Sequence, residues 1–582
     1  MRVKHGRLNK AFQINYYTWN IAVNNRVKPS LDSKISDNEN SRTDTYLTPT
    51  YGQTPFSVAI PTHTIPDLPM TPRAAQRLIS DELDMDARNS ADLGSYITDY
   101  MDPEIDIIIN QTLGKVFIDK SEYPLTAEMG DRVARMIQSW YNGTPATTSS
   151  GFIGTPTIGS SEAVMLGLIA HRYAWIKSWK TRKNRTPEGY PNGYYRKDKP
   201  FLLAARDIHT CWNKYCLYYN TDSLLFNLSD NKYTLSAIDV STFLNTTIKS
   251  LLTNPDVKSE YKALAEIIIE ACDFDPVADE EILGLKTPAE LVFVVGAVVG
   301  TTFTGSADPV SEINDVLVTL KTNTFAGTKD AIDIPIHVDA ASGGFCLPFS
   351  MPYLSWDFRL PQVRSINVSN HKFGLVYPGV GTVVFKDEHV VDPSLIYNVT
   401  YLGAAFKDYT VNFSRGSAMV IAAYYNLIRF GIKGYQEIIE NCLSNALHLD
   451  DLINNDIGTK HYFQTISQTN LFPIVVWIDR RESPLPWTLT DLSQELEKRG
   501  WKLPAYNLPY TNSETPDGPL AMRVVIRQDL SHDKISILYA DIVKAIHFLN
   551  ATVENLDIEN PDVQRLLKKD SLHYTYKGAR GC

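Results

Sequence analysis

The sequence contains no Cys-x-x-Cys pair. Its six cysteines (Cys211, Cys216, Cys272, Cys346, Cys442 and Cys582) are scattered. That excludes zinc-ribbon and dithiol redox motifs and fits a reducing compartment. No apolar run has the length of a membrane-spanning helix, and Leu291–Val299 is short enough to read as a buried parallel strand. A basic excess is also lacking: the net charge of −10 gives no general affinity for nucleic acid or anionic membrane. There is no internal repeat. Aromatic residues are plentiful, with 31 Tyr and 22 Phe among 582 residues, which fits a packed enzyme better than a disordered scaffold. This length predicts several domains, or one large subunit with appendages.

Acidic residues are absent from the first 31 positions, which hold six Lys/Arg. That segment reads as a disordered basic arm, with an organelle presequence as the alternative. Five prolines between Pro55 and Pro72 prevent regular helix. Helical spacing begins over Pro72–Asp84 and returns over Asp131–Tyr141. A loop rich in Gly, Ser and Thr, Thr147–Ser161, precedes a helix over Glu162–Trp179. Lys180–Lys199 reads as a surface insertion and Phe243–Glu290 as a charged helical one. Strands are expected over Phe201–Ala205, Leu291–Val299, Ile334–Val338, Val363–Val368 and Gly381–Phe385. Alternating with helices, they form a doubly wound α/β pattern. After two helices, Ala418–Phe430 and Tyr435–Ile453, the pattern changes to strand (Pro473–Ile478), helix (Leu489–Arg499), strand (Ala521–Arg527) and helix (Lys534–Leu549). The expected organisation is an N-terminal arm (1–90), a large α/β domain (91–442) and a small α+β domain with a tail (443–582).

Asp339 ends one strand, and the small residues Ala340, Ala341, Ser342, Gly343 and Gly344 follow it. Lys372 follows the next strand. Open α/β sheets bind ligands at such strand ends. An acid and a lysine placed there suit pyridoxal phosphate: the lysine would form the Schiff base, and the acid would keep the pyridine nitrogen protonated. An ordinary Asp and Lys at a loop edge remain the alternative. The Gly159-Ser160-Ser161 helix start offers free N–H groups and hydroxyls for a phosphate. Simple capping by Ser160 or Ser161 is the competing account. Arg523, with Val525 and Arg527 on one strand face, is either a carboxylate clamp or a solvated edge charge.

HVDAASGGF (337–345), WDFRLPQVRSINVSNHKFGLVYPGVG (356–381), YLG (401–403), NFSRG (412–416) and TIGSSEA (157–163) closely resemble glutamate decarboxylases, pyridoxal phosphate enzymes of fold type I. The resemblance runs from about Tyr51 to Asn550. It implies a large domain with a mainly parallel seven-stranded sheet. It implies Lys372 as the Schiff-base lysine, His371 beside the phosphate, Asp339 on the pyridine nitrogen and Ala341 under the ring. Ser160 and Ser161 would bind phosphate, Ser414 would join them from a partner subunit, and Thr302 would lie near the ring hydroxyl. Tyr401 would protonate the product carbon, and Arg523 would grip the substrate α-carboxylate. The expected reaction is L-glutamate α-decarboxylation to 4-aminobutyrate by a cytoplasmic homo-oligomer (a dimer, or a hexamer of dimers), with a mitochondrial location as the minor alternative. No metal, nucleic acid or membrane is expected.

Several positions depart from the family. Asn370 replaces a glycine, which Asn accommodates if the turn is left-handed. His209 stands where a glutamine stacks on the ring; related aromatic decarboxylases use histidine there. On the substrate side, Ser95 and Tyr96 replace a Thr-Phe pair and Asp119 is kept. Val116 replaces an amide and cannot donate a hydrogen bond. Ala404 and Phe406 alter the loop after Tyr401. These changes leave two alternatives: a decarboxylase of another amino acid on the same scaffold, or an inactive homologue.

Overall fold

Two polar positions spaced by two in neighbouring strands, His337 with Asp339 and Ser365 with Asn367, point to one face of the sheet that organises the molecule. A computed structural model describes residues 62–118, 121–148, 151–184, 189–228, 233–323, 332–400, 406–480, 486–509 and 518–554. The chain divides into two compact units, 1–85 and 86–582.

The described part of the first unit carries helix α1 (Pro72–Leu83). Pro72 opens it without losing a bonded N–H, and Thr71 Oγ1 accepts from the N–H of Ala74 at 3.3 Å.

In the second unit, seven strands form the large sheet. They are β1 (Gly154–Thr157), β2 (Phe201–Ala205), β3 (Asp222–Phe226), β4 (Val292–Val298), β5 (Ile336–Asp339), β6 (Val363–Val368) and β7 (Gly381–Phe385). Their order is β1-β7-β6-β5-β4-β2-β3. β2 to β6 run parallel, and β7 is antiparallel to both of its neighbours. The mainly parallel sheet expected from the sequence is present.

Both faces of the sheet are covered. Leu202, Ala204 and Val294 pack with Val164 and Leu168 of helix α4 (Ser160–Arg182), while Leu203, Val295 and Val338 join Val133 and Ile137 of helix α3 (Pro124–Trp140) on the other side. Helix α2 (Pro103–Thr112) precedes these two, and helix α5 (Thr210–Tyr218) follows β2.

β1 was hidden inside the expected Thr147–Ser161 loop, because Gly154 and Pro156 argue against a strand. It lies at the sheet edge, where a proline costs no ladder hydrogen bond. The 243–290 stretch is helical as expected, but it is not a superficial insertion. Phe243, Tyr261, Leu264 and Ile268 pack with Phe226 in the main core. The 180–199 stretch is likewise only partly superficial: Tyr194 and Tyr195 are buried. The fully buried Lys286 is the physical reason. Its ammonium sits 2.9 Å from Asp198 and 3.8 Å from the Tyr194 ring centroid, so this segment supplies both counter-charge and aromatic cover.

Helix α6 (Ala418–Asn455) runs through two expected helices. At Gly431 the backbone leaves helical geometry, with φ 55° and ψ −173°, and the axis is broken there. β8 (Tyr397–Val399) and β9 (Phe406–Asp408) form an antiparallel pair, and the C-terminal sheet has the order β10 (Phe463–Thr465), β11 (Ile474–Asp479), β13 (Leu520–Val525), β12 (Ala505–Asn507) and is antiparallel. One of its faces, with Val475, Trp477, Met522 and Val524, forms a separate core with helices α7 (Leu489–Glu497) and α8 (His532–Glu554). The other, with Ile474, Val476, Ala521 and Val525, joins the main core. Period-two alternation therefore turns Arg523 toward the large sheet. β13 lies between β11 and β12, so Arg523 is not an edge charge. Arg527 lies beyond the strand and binds Asp529 and the carbonyl of Asn89.

Candidate active site

The carboxyl ends of β2, β4, β5 and β6 and the start of α4 converge on one cleft. Asp339 is the last residue of β5 and is buried. Its Oδ1 accepts from Asn367 Nδ2 at 2.8 Å and from the N–H of Ala341 at 3.1 Å, and its Oδ2 accepts from Trp212 Nε1 at 3.0 Å. A carboxylate accepts about four bonds, so one direction remains for a ligand proton. Trp212 reaches Asp339 by passing over Gly296, where a Cβ would lie 2.6 Å from the indole.

Lys372 follows β6 in a tight turn. Its backbone N–H donates to Ser369 O at 3.2 Å, and its carbonyl accepts from Thr98 Oγ1 at 3.0 Å. Asn426 Nδ2 and Tyr435 Oη, both from α6, hold the carbonyl of Gly374. The left-handed residue of this turn is Leu375, with φ 59°, and not Asn370 as the glycine replacement suggested. Asn370 is buried, and its Oδ1 accepts from Thr382 Oγ1 at 2.8 Å, so its side chain bonds to the neighbouring strand while the turn is made further on. Phe373 and Leu375, which follow the lysine in the turn, are buried. Burial pushes the amine of Lys372 down to about 8, against the raising effect of Asp339. Its Nζ donates to Ser342 Oγ at 2.9 Å.

This burial makes a prediction. In cofactor-free protein, the folded amine holds its proton less tightly than the unfolded one, whose value is near 10.5. The resulting penalty is complete below pH 8 and is relieved as pH rises toward 10.5. Lys372→Met should therefore stabilise the cofactor-free protein at pH 7 by up to about 3 kcal/mol, a gain that shrinks by pH 10. Urea unfolding at the two pH values measures it, and a pH-independent difference would refute it.

Tyr96 lies between Lys372 and Arg523. Its ring centroid is 4.8 Å from Lys372 Nζ and 5.4 Å from Arg523 Cζ, and its hydroxyl donates to Thr302 O at 3.3 Å. The Tyr506 ring centroid also lies 5.1 Å from Arg523 Cζ. Arg523 Nη1 donates to Thr302 O at 2.7 Å and Nη2 to Gly94 O at 3.1 Å. Two aromatic rings, two carbonyls and a bond to the Tyr506 hydroxyl thus fix the guanidinium. Thr302 contributes its carbonyl to this arrangement. Ser95, Gly94 and Arg523 border a cavity of about 440 Å³ that Asp92, Trp501 and Lys502 also line.

Ser160 opens α4, and Gly159 caps it without a side-chain hydrogen bond, so neither serine acts as the cap. The space where a Gly159 Cβ would stand is open, while a Cβ on Gly381 would come within 2.6 Å of Ser160 N. Gly381 therefore lets this helix start approach the sheet. Glu162 folds back onto the N–H of Ile158, and Ser161 bonds the thiol of Cys211. Burial pushes that thiol up to about 12, despite the bond from Ser161.

His209 caps α5, with Nδ1 accepting from the N–H of Cys211 at 3.2 Å, so the proton of the neutral ring is on Nε2. Its ring is exposed and feels Asp339 and Lys372, and partial burial lowers its basicity. His371 Nδ1 donates to Val380 O at 2.9 Å, and burial likewise lowers its basicity.

Val116 and Ser414 form a different group. Val116 bridges to Gly416, and Phe117 N donates to Arg415 O at 2.9 Å. Both Val116 and Ser414 are exposed. Among the described residues, this strip makes no hydrogen bond or ion pair with Lys372, Asp339 or Arg523. Asp119 and Tyr401 lie outside the described residues, as do Ala404 and the side chain of Phe406.

Sequence reasoning missed Ser342, Asn367, Trp212 and Tyr506. Ser342 was legible as a hydroxyl in the small-residue run. Asn367 was legible as a polar position in a buried strand. The other two come from distant elements and carried no local signal.

The cleft fits pyridoxal phosphate on three observations: an uncapped helix start for the phosphate, a buried carboxylate with one open direction, and a buried amine of lowered basicity. The fold and site together define a fold type I pyridoxal phosphate enzyme. The chain belongs to the pyridoxal-dependent decarboxylase family, whose conserved domain matches residues 96–248 and 277–478. It is a pyridoxal phosphate-dependent carboxy-lyase. It is similar to a probable glutamate decarboxylase gamma of Listeria monocytogenes, 32% identical over 88% of this chain and 95% of that one. It is equally similar to glutamate decarboxylase 5 of Arabidopsis thaliana, 32% identical over 89% of this chain and 91% of that one. Among solved structures it resembles a Lactobacillus brevis glutamate decarboxylase, with a TM-score of 0.67 and 30% identity over 84% of this chain and 95% of that one.

Proposed function

We propose that the protein converts L-glutamate and a proton into 4-aminobutyrate and carbon dioxide. The observation that carries this reading is the buried amine of Lys372 and the pinned guanidinium of Arg523 facing one Tyr96 ring from 4.8 and 5.4 Å. The names of the relatives, matched over nearly their whole lengths, supply glutamate as the substrate.

When bound, pyridoxal phosphate supplies an aldehyde that captures amines and a ring that takes up the electron pair freed as a carboxylate leaves. The chain's own residues then have distinct tasks. Lys372, with its basicity lowered by burial, offers a neutral amine near neutral pH. Asp339 holds a proton at the ring nitrogen through its charge. Ser160, Ser161, His371 and the first N–H groups of α4 would hold the phosphate. His209 and Ala341 would hold the ring between them. Arg523 orients the α-carboxylate through the charge of its guanidinium. Tyr401 delivers the proton to the α-carbon.

Ser95, Tyr96 and Asp119 bound the substrate side chain. The exposed strip carrying Val116 and Ser414 reaches the cleft of a second copy, which makes the working enzyme a homodimer or a hexamer of dimers, in the cytoplasm. A second reading, decarboxylation of another amino acid, is favoured by Val116, which offers no donor to a γ-carboxylate.

The test is to load purified protein with pyridoxal phosphate and measure carbon dioxide and amine from a panel of amino acids. No visible cofactor band would overturn the reading altogether, and a band with turnover of another amino acid in place of glutamate would establish the second reading. Val116→Asn should lower KM for glutamate roughly tenfold with kcat little changed, the effect of restoring one hydrogen bond to a charged group.

A further inference from the structure

Behind Asp339, on the side away from the cleft, four buried polar side chains connect without interruption. His171 Nε2 lies 2.6 Å from Ser365 Oγ, and Ser365 Oγ lies 2.7 Å from His337 Nδ1. His337 Nε2 lies 2.9 Å from Asn367 Oδ1, and Asn367 Nδ2 lies 2.8 Å from Asp339 Oδ1. Ser365, His337 and Asn367 are completely buried, and His171 is 3% exposed. Register explains the alignment: His337 pairs with Ser365 and Asp339 with Asn367 across β5 and β6, so all four point to one face. Helix α4 covers that face. A Cβ on Gly167 would come within 2.5 Å of the His337 ring, so glycine is what allows the imidazole to lie there.

The direction of every bond follows from the end of the chain. An ionised carboxylate only accepts, so Asn367 turns its amide N–H to Asp339 and its oxygen to His337. His337 must then carry its proton on Nε2, which leaves Nδ1 to accept from the Ser365 hydroxyl. Ser365 Oγ in turn accepts from His171 Nε2–H. Every donor points toward Asp339, and such chains polarise one another in a low-dielectric interior.

We propose that His171, Ser365, His337 and Asn367 are a positioning relay that holds the Asp339 carboxylate in orientation, and thereby keeps the proton on the ring nitrogen of the cofactor. Burial supports the neutral imidazoles the relay requires, pushing His337 down to about 4 and His171 well below its ordinary value. A set of polar groups placed only to fill space would need neither one consistent direction nor an end on the only charged member. The proposal rests on Asp339 facing the ring nitrogen, as in the reading above.

The test uses loaded enzyme carrying ring-15N pyridoxal phosphate and 15N-histidine, as wild type and as Ser365→Ala. In the wild type, His171 and His337 should both show Nε2–H tautomers, and the ring nitrogen should show the shift of a protonated pyridine. In Ser365→Ala, the ring-nitrogen shift should move toward that of bare pyridine. The dissociation constant for pyridoxal phosphate should rise roughly tenfold, and kcat should fall with KM unchanged. An unchanged ring-nitrogen shift in a folded Ser365→Ala protein would overturn the relay, even if its melting temperature dropped. Should the variant fail to fold, an Nδ1–H tautomer at His337 in the wild type overturns the relay, and Nε2–H at both histidines supports it. Failure of wild type to bind pyridoxal phosphate at all would instead overturn the functional reading.

Discussion

Lys372→Ala is expected to fold, to lose the visible band of lysine-bound cofactor, and to lose on the order of 10⁵-fold in kcat/KM. Folding survives because the turn is held by its backbone and by neighbours. Thr98 bonds the carbonyl of Lys372, while Asn426 and Tyr435 bond that of Gly374. The variant also loses a buried ammonium that burial disfavours. Activity does not survive, because among the described residues no other amine stands in the cleft: the nearby Arg523 is a guanidinium whose terminal nitrogens are bound to carbonyls. Lys372→Arg should be as inactive, since a guanidinium never offers a neutral amine near neutral pH. Absorbance spectra of the loaded proteins, with carbon dioxide release from glutamate, measure both variants. A band retained in Lys372→Ala would remove the central residue from the proposed function.

Arg523→Met should cost on the order of 10³-fold in kcat/KM, about 4 kcal/mol, as expected for losing a two-pronged charged contact to a carboxylate. It should also cost stability, because Gly94 O loses its guanidinium donor and Thr302 O is left with Tyr96 Oη alone at 3.3 Å; an orphaned buried carbonyl is worth about 1–3 kcal/mol. Arg523→Lys separates the two effects. A lysine keeps the charge but cannot reach both carbonyls and a substrate carboxylate together, so it should recover stability only in part and activity by roughly tenfold over methionine. Steady-state kinetics with urea unfolding on the same preparations measure this. Wild-type kcat/KM in Arg523→Met would sink the assignment of the α-carboxylate to this residue.

Much of the fold was legible because its signals are local. β2, β6 and β7 keep the bounds that their apolar runs set, and the break at Gly431 falls between two segments of separate helical spacing. What escaped was decided by neighbours. β1 looked like a loop because its Gly and Pro are poor strand formers, and only an edge position tolerates them. Tyr194 and Tyr195 looked superficial because the lysine they cover, Lys286, lies some ninety residues away in sequence. Asn370 drew attention to the wrong turn position, since nothing local reveals that Thr382 binds its side chain.

The active site divides in the same way. Asp339, Lys372, Ser160 and Ser161 each sit at the end of a periodic segment, so the sequence alone placed them at strand ends and at a helix start, and with them the cofactor. The surroundings came from the tertiary structure. Arg523 changed from a possible edge charge to an inward-facing guanidinium because β13 is an inner strand whose alternation turns that side chain toward the large sheet. The distances between Tyr96, Lys372 and Arg523, and the relay behind Asp339, depend on strands brought into register from far apart in the chain. Periodicity tells a residue which face it occupies. Only packing decides what stands opposite that face, because the energy of a buried charge depends on partners that sequence spacing does not encode.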